Sequence, residues 1–327
     1  MGEYLYVPSL KSKRGERSAL NELSSSVKKK IKPIYNLISI EHAARLSSGS
    51  AFIDLHPNLV SGGVDLELVF QQIFSAIRNK SELTTVIKHG YSQKFLSNIK
   101  PYILNCENGV ALRIPNAYLS SLGTDLISIK SALGLKAEQV DVIIDFGQVN
   151  EVVLGLINAI SANIKAQLKD LKVRNVIILS SAFPIGLSVP KDSISELPRS
   201  DFLLFKGIRK QLPRIILGDY GADDPDDPQV NTRRIIVPTI RYTRDSCWKI
   251  IRGHYDPAMP YDYSQYSDLA RVVRSSDFYT GKDYSWGDNK IDSCARRECG
   301  NGSPEVWVKM AMNHHITFVV NEYDRLL

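Results

Sequence analysis

Short apolar, β-branched runs alternate along this chain with longer stretches of helical period. Seven strands are predicted: Lys32–Ile38, Ala51–Leu55, Thr84–Lys88, Gly109–Ile114, Val140–Asp145, Asn175–Ser180 and Arg214–Asp219. Helical period fills the intervals. Between Asp65 and Asn79, for example, Leu66, Val69, Phe70, Ile73 and Ile77 recur at helix spacing. Further helices are predicted from Tyr91 to Leu104, and over Leu119–Leu133, Glu151–Leu171 and Asp201–Gln211.

Runs such as V-I-I-D at 142–145 and V-I-I-L-S at 176–180 are apolar on both faces. Strands of that kind belong to a parallel sheet covered by helices. Repeated βα units close into an eight-stranded barrel or stay open as a doubly wound sheet. A spacing of roughly 30 residues per unit predicts the TIM-barrel-like (β/α)8 arrangement. The open doubly wound parallel sheet is the alternative.

After Asp219 the pattern changes. Residues 221–228 are acidic and broken by Pro225, which reads as an exposed loop. Thr239–Tyr242 and Cys247–Arg252 flank a turn at Thr243–Ser246, and one of the two is expected to be the eighth barrel strand. Tyr263–Arg274 and Glu305–Met312 read as helices, and His315–Glu322 as a final strand. The expectation is a single large α/β domain. In it, residues 1–220 form repeated βα units, and 221–327 form an α+β extension packed on the barrel and completing it.

A hydrophobic content of 43% with 23% charged residues is that of a soluble globular chain. No apolar run approaches the ~20 residues of a membrane span. No basic-then-apolar secretory layout opens the chain, so the four cysteines read as reduced thiols in a cytoplasm. The net charge is +6. Its excess gathers early, in Lys11, Lys13, Arg14, Arg17, Lys28, Lys29, Lys30 and Lys32. A solvated amphipathic helix accounts for that cluster, and a nucleic-acid partner is only weakly supported.

In a barrel, chemistry gathers at the carboxyl ends of the strands. Those ends carry Asn36, Asp54, His56, Lys88, His89, Arg113, Asn116, Asp145, Gln148, Ser180, Ser181, Asp219 and Tyr220. Their convergence points to a pocket, although strand ends are polar in any α/β protein. Asp145 and Asp219 could act as base or metal ligand, with Lys88 and Arg113 binding an anion. For Asp145 the structural alternative is an ion pair across the barrel mouth, and for Asp219 an Asx turn. His314 or His315 could carry a proton. Cys294 and Cys299 followed by His314-His315 suggest zinc only loosely, because adjacent histidines rarely bind one ion; no metal site is assigned. No Walker loop, G-x-G-x-x-G, H-E-x-x-H or G-x-S-x-G motif is present, which removes most support for nucleotide-phosphate, zincin and serine-hydrolase chemistry and leaves the cofactor unknown.

The block D-F-Y-T-G-K-D-Y-S-W-G-D at 277–288, with M-N-H-H-I-T-F-V-V at 312–320, resembles the Beta protein family of bacterial and phage-satellite proteins. Y-V-P-S-L-K at 6–11, Gly15-Glu16, Leu20, I-R-Y-T at 240–243, Trp248 and Arg252-Gly253 fit as well, so the resemblance covers essentially the whole chain. It implies an operon associated with anti-phage defence, in which the protein stands beside a toxic protein and a small regulator in a toxin-antitoxin-like arrangement. It marks Trp286, Asp288, His314, His315, Arg241 and Arg252 as characteristic. Family members tend to carry an acid where this chain has Asn36; if that acid is catalytic, the change weighs against activity here.

Two functions are therefore expected. The first is a partner or regulator of a toxic effector, acting through contacts with proteins encoded in the same operon. The alternative is a TIM-barrel-like enzyme acting on a phosphorylated or nucleotide-type ligand. Its catalytic candidates are Asp145, Asp219, His314 and His315. Its ligand-binding candidates are Lys88, Arg113, Arg241, Arg252, Trp286 and Asp288. The simpler expectation for Trp286, Asp288 and the histidines is a structural lock, in which Trp286→Ala would cost ~3–5 kcal/mol.

Overall fold

The computed structural model describes residues 4–46, 49–60, 65–77, 82–103, 109–184, 189–222, 237–259 and 262–327. The acidic stretch Asp223–Asp227 lies outside the described residues. The strands are, in chain order, β1 (Tyr6–Lys11), β2 (Ile34–Leu37), β3 (Ala51–Leu55), β4 (Leu83–Lys88), β5 (Val110–Pro115), β6 (Val140–Gln148), β7 (Asn175–Ser181), β8 (Ser193–Pro198), β9 (Ile216–Asp219), β10 (Thr239–Thr243) and β11 (Cys247–Arg252).

Contacts group the chain into two compact units. The first comprises Met1–Lys13, Ile31–Ser180 and Leu203–Asp219. It holds a closed barrel in the order β1-β2-β3-β4-β5-β6-β7-β9. Closure runs through the parallel pairing of β1 with β9, which sets Tyr6 beside Leu217 and Pro8 beside Asp219. This is the TIM-barrel-like α/β fold, with helices such as Leu66–Ile77, Leu122–Leu133 and Leu154–Leu168 following strands. The helix Leu66–Ile77 buries Val69, Phe70, Ile73 and Ile77 of the predicted stripe together with Phe74, while Leu66 is half-buried. Gly109 precedes β5 at φ +99°, and a Cβ there would sit 1.8 Å from the Gln139 carbonyl oxygen, so only glycine fits.

The eighth strand is β1, and among the described residues no barrel strand lies beyond Asp219. The described part of 221–327 therefore does not complete the barrel. The expected candidates, now β10 and β11, instead pair antiparallel with each other, and β11 with β8. Their alternating burial is that of a sheet covered on one side, unlike the doubly buried barrel strands.

The second unit comprises Arg14–Lys30, Ser181–Phe202 and Tyr220–Leu327. Its core joins Ile240, Tyr242 and Ile251 of the three-stranded sheet to Tyr266, Ala270, Ile291 and Trp307 of helices Gln265–Ser275, Trp286–Ala295 and Pro304–Asn321. The early basic segment forms the short helices Arg14–Asn21 and Ser25–Lys28 of this unit. The predicted final strand does not exist. Residues 304–321 form one continuous helix that starts at Pro304 and buries every side chain from Met310 to Val320. A helix buried all round shows no polar face, so its Ile316–Val320 run mimics a strand. Among the described residues, no helix is long and apolar enough to cross a membrane.

Candidate functional site at the barrel mouth

Register places six polar residues on one face of the barrel wall. Lys11 pairs with Asn36, and Asn36 with Asp54. Ile53 pairs with Thr85, which puts Asp54 on the same face as Val86 and Lys88. Lys88 pairs with Arg113, and Arg113 with Ile143, two residues before Asp145. Partners in a parallel register share a face, and side chains alternate along a strand. Lys11, Asn36, Asp54, Lys88, Arg113 and Asp145 therefore project together. That face is the lumen: Arg113 on β5 reaches Asn36 on β2, two strands past its neighbour, which is possible only across the interior.

Arg113 organises the cluster. Its Nε and Nη2 donate to Asp145 Oδ2 at 2.9 and 2.6 Å. Its Nη1 donates to Asn36 Oδ1 at 3.1 Å and to Asp54 Oδ2. Asn36 in turn donates from Nδ2 to Ser9 Oγ at 2.8 Å. Lys88 Nζ lies 3.3 Å from Asp54 Oδ1 and also donates to the Leu55 carbonyl. Asp145 Oδ1 accepts from the Gly147 backbone N–H at 2.9 Å. The Asp54 side chain is wholly buried, whereas those of Arg113 and Lys88 keep 14% and 25% of their exposure.

Electrostatics follow from this geometry. Burial pushes the Asp54 carboxyl pKa up, but Lys88 and Arg113 outweigh it and hold the group below the usual carboxylate range. His56 stands one residue past β3, with its backbone N–H on the Leu37 carbonyl at 2.9 Å. Burial lowers its pKa first, then the charges of Lys11 and Lys88; Asp54 opposes them and Arg113 adds to them. The net direction is down, which favours the neutral imidazole.

A sequence model of the Beta protein family matches residues 6–321, which takes in segments of both units. The chain belongs to the Beta protein family. No curated protein matches it.

In this family member the predicted site residues separate into groups. Lys88, Arg113 and Asp145 meet in the lumen. Asp219 does not join them. It is in register with Pro8 and accepts from the Tyr6 hydroxyl at 2.5 Å, on the wall face opposite Lys11 and Asn36. His314, His315, Trp286, Asp288, Arg241 and Arg252 all belong to the second unit. His314 and His315 have no exposure. His314 bonds Asp288 at 2.8 Å, while His315 bonds Thr243 Oγ1 at 3.0 Å and stacks on Trp248. Arg241 donates to the Ala222 carbonyl and lies over the Phe183 ring, and Arg252 donates to the Val189 carbonyl. These are ties within a core, so a proton-carrying role for the histidines loses its geometric support. Cys294, raised as a loose zinc candidate, is buried 3.6 Å from Ser267 Oγ.

Asn36, Asp54 and His56 also stand at predicted strand ends, and Asp54 and His56 join the cluster without having been singled out as candidates. The signal was a polar residue at the matching place in neighbouring predicted strands. Lys11 escapes that reading because β1 is not recognised as a strand.

Proposed function

We propose that the barrel mouth is the site of a small anionic ligand, phosphorylated or nucleotide-type, as in a TIM-barrel-like enzyme. One observation carries this reading. Among the described residues of the lumen layer, the cations Lys11, Lys88 and Arg113 face the carboxylates Asp54 and Asp145, leaving one positive charge in excess. A guanidinium fixed by three partners needs little reorganisation to meet an anion. The carboxyl ends of barrel strands are where such ligands bind. The test is titration with inorganic phosphate and nucleoside monophosphates, read by calorimetry. Lys11→Met removes one of the three cations while leaving Arg113 on Asp54 and Asp145, and Lys88 on Asp54. It should weaken binding about tenfold, ~1.4 kcal/mol. Equal affinities in the two proteins count against the site.

A second reading has its own support: a partner or regulator of a toxic effector in an anti-phage defence module, acting through protein contacts. Val153, Leu154 and Leu156, at the start of helix Leu154–Leu168, are 61%, 71% and 49% exposed. Three large apolar side chains within four residues exceed scattered exposure. Co-purification with the products of neighbouring genes, lost in Leu154→Lys, is the expected result. Capture that Leu154→Lys does not disturb contradicts this surface.

A further inference from the structure

We infer that His56 is the proton acceptor of the barrel mouth, and that it takes up a proton when a phosphoryl-type dianion binds there. This inference rests on the anion-site reading above.

The carboxylates at the mouth are poorly placed to act as bases. Asp145 gives one oxygen to two Arg113 nitrogens and the other to the Gly147 N–H. Asp54 faces Arg113 with one oxygen and Lys88 with the other. Their oxygens are thus already turned toward these donors rather than toward a ligand proton. His56 supplies an imidazole at this level, and the neutral form that burial and the cations favour is the form able to accept a proton. It follows directly from β3, and the Leu37 carbonyl of β2 holds its backbone N–H, which extends the β2–β3 ladder by one residue and sets His56 on the same face as Asp54. The ring is half-buried, which limits screening of the nearby charges.

The charged groups that act on His56 are Lys11 of β1, Asp54 of β3, Lys88 of β4 and Arg113 of β5. Three of the four repel an added proton. A dianion seated among the same three cations offsets that repulsion. The imidazole then binds a proton more tightly, and by linkage the anion binds more tightly when the ring is charged. The proton comes from solvent or from an ionisable hydroxyl of the ligand, and it ends on an imidazole nitrogen. The substrate class is therefore a phosphorylated compound with a proton to give beside its phosphoryl group.

Sulfate is the cleanest probe, since it carries no titratable proton near neutral pH. Calorimetry of sulfate binding at pH 6, in two buffers of different ionisation enthalpy, counts protons taken up. NMR of the His56 ring with and without phosphate reads the same coupling on the unmodified protein. The expected results are fractional proton uptake that vanishes in His56→Gln, and a ring titration midpoint that moves up with phosphate. Anion binding with neither effect overturns the role of His56 and leaves the anion site standing. Binding of neither anion overturns both.

Discussion

Asp288 and His314 form a hydrogen-bonded pair, Oδ2 to Nδ1 at 2.8 Å, with no solvent exposure on either side chain. The other ring nitrogen lies 3.1 Å from the Thr243 carbonyl, so both nitrogens face acceptors. Asp288 also accepts from the hydroxyls of Tyr242 and Ser285 at 2.7 and 2.6 Å. Tyr242 stacks on His314, ring centres 3.9 Å apart. The pair thus ties helix Trp286–Ala295 to helix Pro304–Asn321 and to β10. Ser285 and Asp288 of the S-W-G-D segment and His314 of the H-H-I-T segment form one lock. Asp288→Asn and His314→Ala should each cost ~3–5 kcal/mol, because the partner is left buried and uncompensated. Urea unfolding measures it; a variant that keeps full stability and loses only function would make these residues a site instead.

Acid should loosen the fold through two buried carboxylates. Burial raises the pKa of both Asp54 and Asp288. Lys88 and Arg113 outweigh it at Asp54, and His314, helped by hydrogen bonds from Ser285 and Tyr242, outweighs it at Asp288. Both folded values therefore lie below the ordinary 3.8. Their stabilisation is complete above the unfolded value and is lost as pH falls through the folded one. Melting temperature should hold from about pH 7 to 5 and drop below about pH 4. A flat profile down to pH 3 would refute the paired carboxylates.

Trp307 and Trp286 should differ in cost. Trp307 is 3% exposed, stacks on Tyr266 at 4.6 Å and donates its indole N–H to the Asn301 carbonyl at 2.8 Å. Trp286 is only part-buried, with Lys309 Nζ 4.2 Å from its ring centre. Trp307→Ala should cost ~3–5 kcal/mol. Trp286→Ala should cost about 1–2 kcal/mol, below the expectation for a fully buried ring. Denaturation midpoints in the reverse order would contradict this packing.

Gly287 marks a close approach between helices Trp286–Ala295 and Pro304–Asn321. A Cβ there would lie 2.4 Å from the Met310 carbonyl oxygen, a backbone atom that cannot swing away. Its N–H also donates to Asn313 Oδ1 at 3.0 Å. Gly287→Ala should destabilise by about 1–3 kcal/mol or more. An unchanged thermal melt would show that the helices can separate without loss.

Where an element has one doubly buried or one strongly periodic face, the chain spells it out. Ala51–Leu55 and Cys247–Arg252 were readable to the residue. β1 was not, because Pro8 and Ser9 interrupt its apolar run and a mid-strand proline argues against a central strand. β8 alternates between partly buried and exposed positions, which left no apolar run to find. At the mouth, Lys88, Arg113 and Asp145 were legible as polar ends of apolar strands. That Asp219 faces the other way depends on the β1–β9 register, which a reading without β1 could not supply. His314 and Asp288 look chemical in sequence because their types are; only three-dimensional burial shows their bonds directed inward.

Anomalous diffraction from crystals soaked in tungstate, a heavy phosphoryl mimic, tests the anion site most directly. The peak should fall in the barrel lumen, within hydrogen-bond reach of Arg113, Lys88 or Lys11, and be weaker in Lys11→Met at the same tungstate concentration. A peak confined to other surfaces, or a lumen that stays empty while phosphate competes for nothing, would contradict the site.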